Sequence, residues 1–136
     1  MLNFADFVFG NEAEAAAWGA ANGLEGASVE AVARAVAALP KAGAAGRTVV
    51  FTQGAKETVI ATADGAVHTV PVDAIADSEI VDVNGAGDAF VGGFLAATAA
   101  GKDVDVACRA GNWAAGVVIR RSGCAFDATL KCPAMA

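Results

Sequence analysis

A short run of small residues stands where a loop is expected to become a helix. The run Gly85-Ala86-Gly87-Asp88 precedes an apolar helix pattern from Ala89 to Ala100. Small residues let a ligand approach the backbone closely. The first N–H groups of a helix have no acceptor within the helix, and together with the helix dipole they can hold an anion without any lysine. The spacing therefore predicts a phosphate-binding site, even in an acidic protein.

Asp88 is the unusual member of this run. A carboxylate among anion-binding amides repels a phosphate, so we expect it to act chemically, as a general base for an attacking hydroxyl. The spacing alone leaves a second interpretation open, in which the run is a tight turn and Asp88 caps the helix. The run does not match G-x-x-x-x-G-K-[ST], which excludes a P-loop. Phe90 stands where G-x-G-x-x-G needs its third glycine, so a dinucleotide-binding fingerprint is poorly supported.

Length and composition favour one domain and exclude several classes of partner. The chain has 136 residues, 56% of them hydrophobic, yet no uninterrupted apolar stretch has the length of a membrane span. The segment from Met1 to Asp6 lacks the pattern of a secretory signal, so we expect a cytoplasmic protein, with the nucleus as an alternative. The net charge of −6 is spread along the chain and predicts neither nucleic-acid nor membrane binding.

The cysteines predict neither a disulfide framework nor a zinc site. Cys108, Cys124 and Cys132 form an odd set without C-x-x-C spacing. Reduced, partly buried thiols are the expected state.

Strand and helix patterns alternate along the chain and predict the elements that position the run. Asn11 and Ser28 are predicted helix caps, and Asp64-Gly65 is a hairpin signal. The predicted strands are Phe4 to Phe9, Arg47 to Thr52, Thr58 to Thr62 and Val67 to Val72; the last predicted helix runs from about Val104 to Arg121. This order predicts a layered α/β domain with a largely parallel sheet and an antiparallel hairpin.

Four blocks of the sequence resemble one enzyme family. DVNGAGDAFVGGFLAA, from Asp82 to Ala97, resembles the signature D-T-x-G-A-G-D of the ribokinase-like (PfkB) family of sugar and nucleoside kinases. The other blocks, in the same order as in that family, are FGNEAEA from Phe9 to Ala15, VVFTQGAKETVIAT from Val49 to Thr62 and RAGNWAAGVVIRRSGCAF from Arg109 to Phe126. The last block is similar to adenosine kinases in particular. The resemblance implies an α/β/α ribokinase-like fold, of which this chain is the C-terminal part.

The resemblance also implies a role for individual residues. Asp88 would be the base that deprotonates the 5′-hydroxyl of adenosine. Gly85, Ala86, Gly87 and the Asp88 amide would form the anion hole for the γ-phosphoryl group of ATP. Asn11 and Glu14 match the N-x-x-E motif that organises Mg²⁺ and its waters; without the resemblance they are a helix cap and a first-turn acid. The residues expected to contact the nucleotide are Gln53, Gly54, Asn84 and Asn112.

The sequence departs from the family pattern at several points. Val83 replaces the usual Thr, so a monovalent cation such as K⁺ would have to rely on backbone carbonyls. Asn112-Trp113 differs from the His-aromatic pair of animal adenosine kinases, and Trp113 is expected to pack rather than to stack on a base. His68 is expected to be a strand residue, and Arg120-Arg121 to complement a helix dipole. Asp77 to Glu79 is expected to be a solvated turn.

The chain is also much shorter than members of this family. The resemblance implies that the N-terminal half and the lid are absent, which predicts weak or no activity for the chain alone and a monomer at full length. Two alternatives stay open. The protein could be another PfkB-type kinase, such as a ribokinase or fructokinase, or a non-catalytic fragment that binds nucleotide or pairs with another polypeptide.

Overall fold

The computed structural model describes residues 2–123, 127 and 129–136, and Cys124 lies outside these residues. The chain divides into two compact units, Met1–Pro71 and Val72–Ala136. No helix in the described part of the chain is long and apolar enough to cross a membrane.

The first unit is built on a four-stranded sheet. Its strands are β1 (Phe7–Asn11), β2 (Thr48–Gln53), β3 (Lys56–Thr62) and β4 (Val67–Val70), in the order β1-β2-β3-β4. β1 and β2 are parallel, whereas β2, β3 and β4 pair antiparallel. The predicted antiparallel hairpin is confirmed. The sheet is mixed, and the predicted parallel pairing is confined among the described residues to β1 and β2.

Short turns enforce the antiparallel part of this sheet. Gln53 pairs with Lys56, which leaves only Gly54 and Ala55 to reverse the chain, and Gly54 has a φ of +60°. In the next turn Gly65 has a φ of +90°, and the Asp64 carboxylate accepts hydrogen bonds from the Thr62 hydroxyl and the Ala66 N–H. Connections this short cannot join parallel neighbours.

Two capped helices cover the sheet of the first unit. They are α1 (Glu12–Ala21) and α2 (Val29–Ala37), and Ser28 caps α2 by accepting the Ala31 N–H at 3.2 Å, as predicted. The buried face of α2 belongs to the same apolar core as inward-facing residues of the sheet: Val32, Ala33, Val36, Ala37, Val49, Phe51, Val59 and Ala61. The first strand begins at Phe7 rather than Phe4 because residues 2–4 form a 3₁₀ turn.

A buried arginine joins three parts of the first unit. Arg47 is 1% exposed, and its guanidinium donates to the backbone carbonyls of Val36, in the last turn of α2, and of Leu39 and Pro40, just past the helix. It also donates to the carbonyl of Leu2 at 2.5 Å. Arg47 therefore gives a charged donor to the Leu39 and Pro40 carbonyls just past the helix, and it fixes the N-terminal turn beside them.

The second unit is a pair of closely packed helices, α3 (Ala86–Ala99) and α4 (Val104–Ile119). Glycines lie where the helices approach: a Cβ added at Gly93 would lie 2.6 Å from the Ala110 carbonyl oxygen, and one added at Gly111 would lie 2.8 Å from that of Phe90. Phe90, Phe94 and Cys108 are buried beside this contact. Two short 3₁₀ helices, Asp77–Glu79 and Pro133–Met135, complete the described part of the unit.

This close approach gives a stability prediction. Gly93→Ala forces the new methyl group into the α4 backbone and lowers the free energy of unfolding by about 2 kcal/mol. Gly92→Ala is the matched control, because a Cβ at Gly92 meets nothing within 4 Å and alanine favours a helix. Urea unfolding of both variants checks the prediction, and equal effects at the two positions would show that the helices do not pack through Gly93.

Candidate functional site

Helix α3 begins inside the run of small residues. Gly85 is the N-cap and has a φ of +78°, a left-handed conformation that suits glycine, and Ala86 is the first helical residue. The helix therefore begins three residues earlier than the predicted Ala89. Gly87 and Asp88 lie in the first turn of the helix, where N–H groups point out of its end.

Three of the four amides of the run are free to bind a ligand. The Ala86 N–H donates to the Val83 carbonyl at 3.3 Å. The N–H groups of Gly85, Gly87 and Asp88 have no acceptor among the described residues. Because the positive end of the helix dipole lies at the same place, these three amides could hold an anion. The Ala86 amide, which was expected to contribute, is occupied in this arrangement.

The Asp88 side chain does not cap the helix. Its carboxylate is exposed and makes no hydrogen bond or ion pair with a described residue, and the N-cap position belongs to Gly85. The capping interpretation of Asp88 is therefore wrong. A solvent-accessible carboxylate beside free amides can accept a proton from a hydroxyl that attacks an anion held there.

Asn84 precedes this site and is also exposed. Its N–H donates to the Asp82 carboxylate at 2.9 Å, which closes a tight turn just before Gly85. The sequence predicted a nucleotide contact for Asn84, and its amide side chain is accessible for one.

Asn11 and Glu14 form a capping box at the start of α1. The Glu14 N–H donates to Asn11 Oδ1 at 2.9 Å, and the Asn11 N–H donates to Glu14 Oε2 at 2.8 Å. This is the structural role that the sequence offered as the alternative to metal binding. Both side chains are exposed, so their remaining oxygen lone pairs are accessible.

Gln53 and Gly54 lie at the same edge of the sheet as this capping box. Asn11 ends β1 and pairs with Thr52 of the parallel strand β2, which ends one residue later at Gln53. The Gln53 side chain donates to the Glu57 carbonyl at 2.8 Å and so holds the turn around Gly54. The structure thus brings four predicted site residues of the first unit to the carboxyl ends of two parallel strands, where α/β proteins bind ligands.

Asn112 and Trp113 lie in the middle of α4. Both are half-buried, and Asn112 Nδ2 lies 4.0 Å from the sulfur of buried Cys108. Trp113 lines an apolar cavity of about 360 Å³ together with small residues of α3 and α4, Cys132 and Met135. The expected packing role of Trp113 is consistent with this position.

Glu79 and Arg120 form a contact that sequence reasoning missed. Arg120 Nε lies 3.0 Å from Glu79 Oε1. The hydrogen bond from Arg120 lowers the pKa of the Glu79 carboxyl below its ordinary value, and the Ala76 N–H adds to this effect. No spacing rule relates two residues that lie 41 positions apart. The sequence showed only that Glu79 is an acid in a predicted turn and that Arg120 is a cation at a helix end. Solvation explained the first, and the helix dipole explained the second.

The described residues contain no cluster of three or more His, Cys, Asp or Glu side chains that could hold a metal ion.

Comparison with protein families identifies relatives that match nearly the whole chain. Residues 1–131 match the model of the pfkB family of carbohydrate kinases. Adenosine kinase 1 of Arabidopsis thaliana is 47% identical over 126 residues, a match that covers 92% of this chain and 36% of the relative. The adenosine kinase of Schizophyllum commune is 45% identical over 130 residues, and this match covers 93% of this chain and 38% of the relative. The chain therefore spans little more than a third of these relatives.

Solved structures agree with this result. The adenosine kinase of Schistosoma mansoni in complex with 2-fluoroadenosine superposes with a TM-score of 0.88 at 36% identity, over 93% of this chain and 38% of that one. The ribokinase of Thermotoga maritima superposes with a TM-score of 0.78 at 25% identity, and the superposition covers 90% of this chain and 38% of the ribokinase. The predicted ribokinase-like α/β fold is confirmed. With its family signature at the start of α3 and a match over nearly its whole length, the chain belongs to the pfkB family of carbohydrate kinases.

Proposed function

We propose that this chain is the C-terminal part of an adenosine kinase, which transfers the γ-phosphoryl group of ATP to the 5′-hydroxyl of adenosine and yields AMP and ADP. The observation that carries the proposal is the exposed Asp88 carboxylate beside the free amides of Gly85, Gly87 and Asp88. Relatives named adenosine kinase are 36% to 47% identical to the chain, whereas the ribokinase of Thermotoga maritima is 25% identical. These identities favour adenosine over ribose as the acceptor.

The proposed chemistry follows from this geometry. Asp88 accepts the proton of the 5′-hydroxyl as that oxygen bonds to the γ-phosphorus, and the bond from this phosphorus to the bridging oxygen of ADP breaks. Negative charge on the transferring oxygens is held by the three free amides, which are already oriented before the reaction begins. ATP as donor is supported by a structure of the Anopheles gambiae adenosine kinase in complex with P1,P4-di(adenosine-5) tetraphosphate.

Asn11 and Glu14 are the residues that we propose to hold hydrated Mg²⁺. Amide and carboxylate oxygens suit this ion, and Mg²⁺ keeps several waters, so two protein oxygens suffice where a cluster of ligands is absent. The ion, when bound, neutralises phosphate charge. The capping box fixes both side chains in place but leaves each with a free lone pair.

We also propose that the nucleotide contacts four further residues, Gln53, Gly54, Asn84 and Asn112. K⁺ would bind only through backbone carbonyls near Val83, because valine offers no hydroxyl. Activity in KCl compared with tetramethylammonium chloride measures this dependence.

Substrate comparison in a completed protein tests the proposed function. The part of Arabidopsis thaliana adenosine kinase 1 that this chain does not cover is fused in front of it, and phosphorylation of adenosine, ribose and fructose by ATP-Mg is measured. We expect a kcat/KM for adenosine at least about a hundredfold above that for either sugar. A preference for ribose or fructose would assign the chain to a sugar kinase instead.

A non-catalytic fragment that binds nucleotide or pairs with another polypeptide is the second candidate, because the free amides of Gly85, Gly87 and Asp88 would hold a nucleotide phosphate whether or not transfer follows. Calorimetric titration of ATP-Mg into the isolated chain, followed by addition of the missing part as a separate polypeptide, distinguishes the two. Activity that appears only after this addition supports a subunit that pairs with another chain. Nucleotide binding without activity in the chimera would support a binding module.

A further inference from the structure

The segment that leads into α3 is attached to the end of α4. Residues 80–85 form neither helix nor strand, and Val81 and Val83 are 60% and 64% exposed, so apolar packing does not fix this segment. Backbone hydrogen bonds do. The N–H groups of Val81 and Asp82 donate to the carbonyl of Ile119, the last residue of α4, at 2.9 and 3.1 Å.

The ion pair of Glu79 and Arg120 lies directly beside these two bonds. Each partner is oriented by a second contact: Glu79 Oε2 accepts the Ala76 N–H at 3.3 Å, and Arg120 Nη1 donates to the Gly116 carbonyl at 3.2 Å. Gly116 leaves room for this arrangement, since a Cβ there would lie 3.3 Å from the Arg120 guanidinium. The pair therefore joins Arg120, at the C-terminal end of α4, to Glu79, the residue directly before the segment.

Further hydrogen bonds connect the attached segment to the amides of the site. The Asp82 carboxylate accepts the Asn84 N–H at 2.9 Å, and the Val83 carbonyl accepts the Ala86 N–H at 3.3 Å. Each residue from Val81 to Asn84 thus has a fixed partner immediately before Gly85. These hydrogen bonds form a continuous series from Val81 to the start of α3.

We propose that the Glu79–Arg120 ion pair positions the amides of Gly85, Gly87 and Asp88 for phosphoryl transfer, an inference that rests on the proposed function of this site. The side chains of Arg120 and Glu79 are 41% and 49% exposed. A pair this exposed adds little to folding stability. Its effect is on geometry, because small misplacements of groups that contact the transition state lower the rate.

A double-mutant cycle in the chimera tests the proposal. Glu79→Ala and Arg120→Ala each lower kcat about fivefold, while the KM values for adenosine and ATP stay within about twofold. The double variant loses no more than either single variant, because each substitution removes the same contact. Asp77→Ala is the matched control: Asp77 lies in the same 3₁₀ turn, and its carboxylate has no partner among the described residues.

Hydrogen exchange provides a readout that does not depend on activity. In both single variants, deuterium uptake of a peptide spanning residues 77–91 is faster than in the wild type, and in Asp77→Ala it is unchanged. Unchanged exchange in Glu79→Ala overturns the proposal, as does a double variant whose loss in kcat is the product of the two single losses. If the unsubstituted chimera fails to phosphorylate adenosine, the proposed function fails, and exchange alone then decides whether the pair positions the segment.

Discussion

Replacing Asp88 by asparagine lowers adenosine turnover by the chimera about a thousandfold, which is within the range for loss of a general base. The KM for ATP stays within about twofold of the wild-type value, because the amides that hold the phosphoryl group are backbone groups and persist in the variant. Asparagine has nearly the shape of aspartate but cannot accept the proton. Steady-state kinetics with adenosine and ATP varied in turn separates the two effects.

Asp73→Asn is the control for this substitution. Asp73 is an exposed acid of the same unit that lies outside the predicted site, so its change removes one negative charge without removing the base. Turnover by Asp73→Asn is expected to equal that of the wild type. If Asp88→Asn retained more than about a tenth of the wild-type turnover, the carboxylate would act only through its charge and would not be the general base.

Replacing Arg47 by methionine lowers the free energy of unfolding of the first unit by about 3 kcal/mol. Methionine fills much of the volume of the arginine side chain but donates no hydrogen bond. The carbonyls of Val36, Leu39, Pro40 and Leu2 then lose a charged donor in a place where water has little access. The end of α2 and the N-terminal turn are expected to loosen together.

Arg34→Met is the matched control for Arg47→Met. Arg34 lies on the exposed face of α2, so the same change there is expected to alter stability by no more than about 0.5 kcal/mol. Urea unfolding followed by the fluorescence of Trp18, in a Trp113→Phe background, reports on the first unit, because Trp18 packs against its core. Equal losses in the two variants would mean that the Arg47 hydrogen bonds contribute nothing specific.

Local signals in the sequence predicted most of the elements. Asn11 and Ser28 cap helices because their short polar side chains reach the N–H groups of the first turn. Asp64-Gly65 reverses the chain because glycine accepts a positive φ. Each of these caps and turns depends on only a few neighbouring residues, so it can be predicted from a single sequence.

Contacts between distant residues were not predicted. Arg47 was expected only to begin a strand, and nothing in its neighbourhood shows that it reaches carbonyls at the end of α2 and near the N-terminus. The start of α3 was placed too late because Gly85 and Gly87 are poor helix formers. Glycine is acceptable at these two positions because they lie at the end of the helix, where the amides are free. Assignment of Asp88 and its neighbours to phosphoryl transfer stays a prediction that rests on the family signature and on the exposure of these groups.

A crystal structure of the chimera with adenosine, ADP and aluminium fluoride tests the central claim most directly, because the fluoride complex imitates the transferring phosphoryl group. We predict fluorine atoms within about 3 Å of the N–H groups of Gly85, Gly87 and Asp88, and the Asp88 carboxylate within hydrogen-bond distance of the adenosine 5′-oxygen. A fluoride complex held elsewhere, or an Asp88 carboxylate turned away from the 5′-oxygen, would contradict the account.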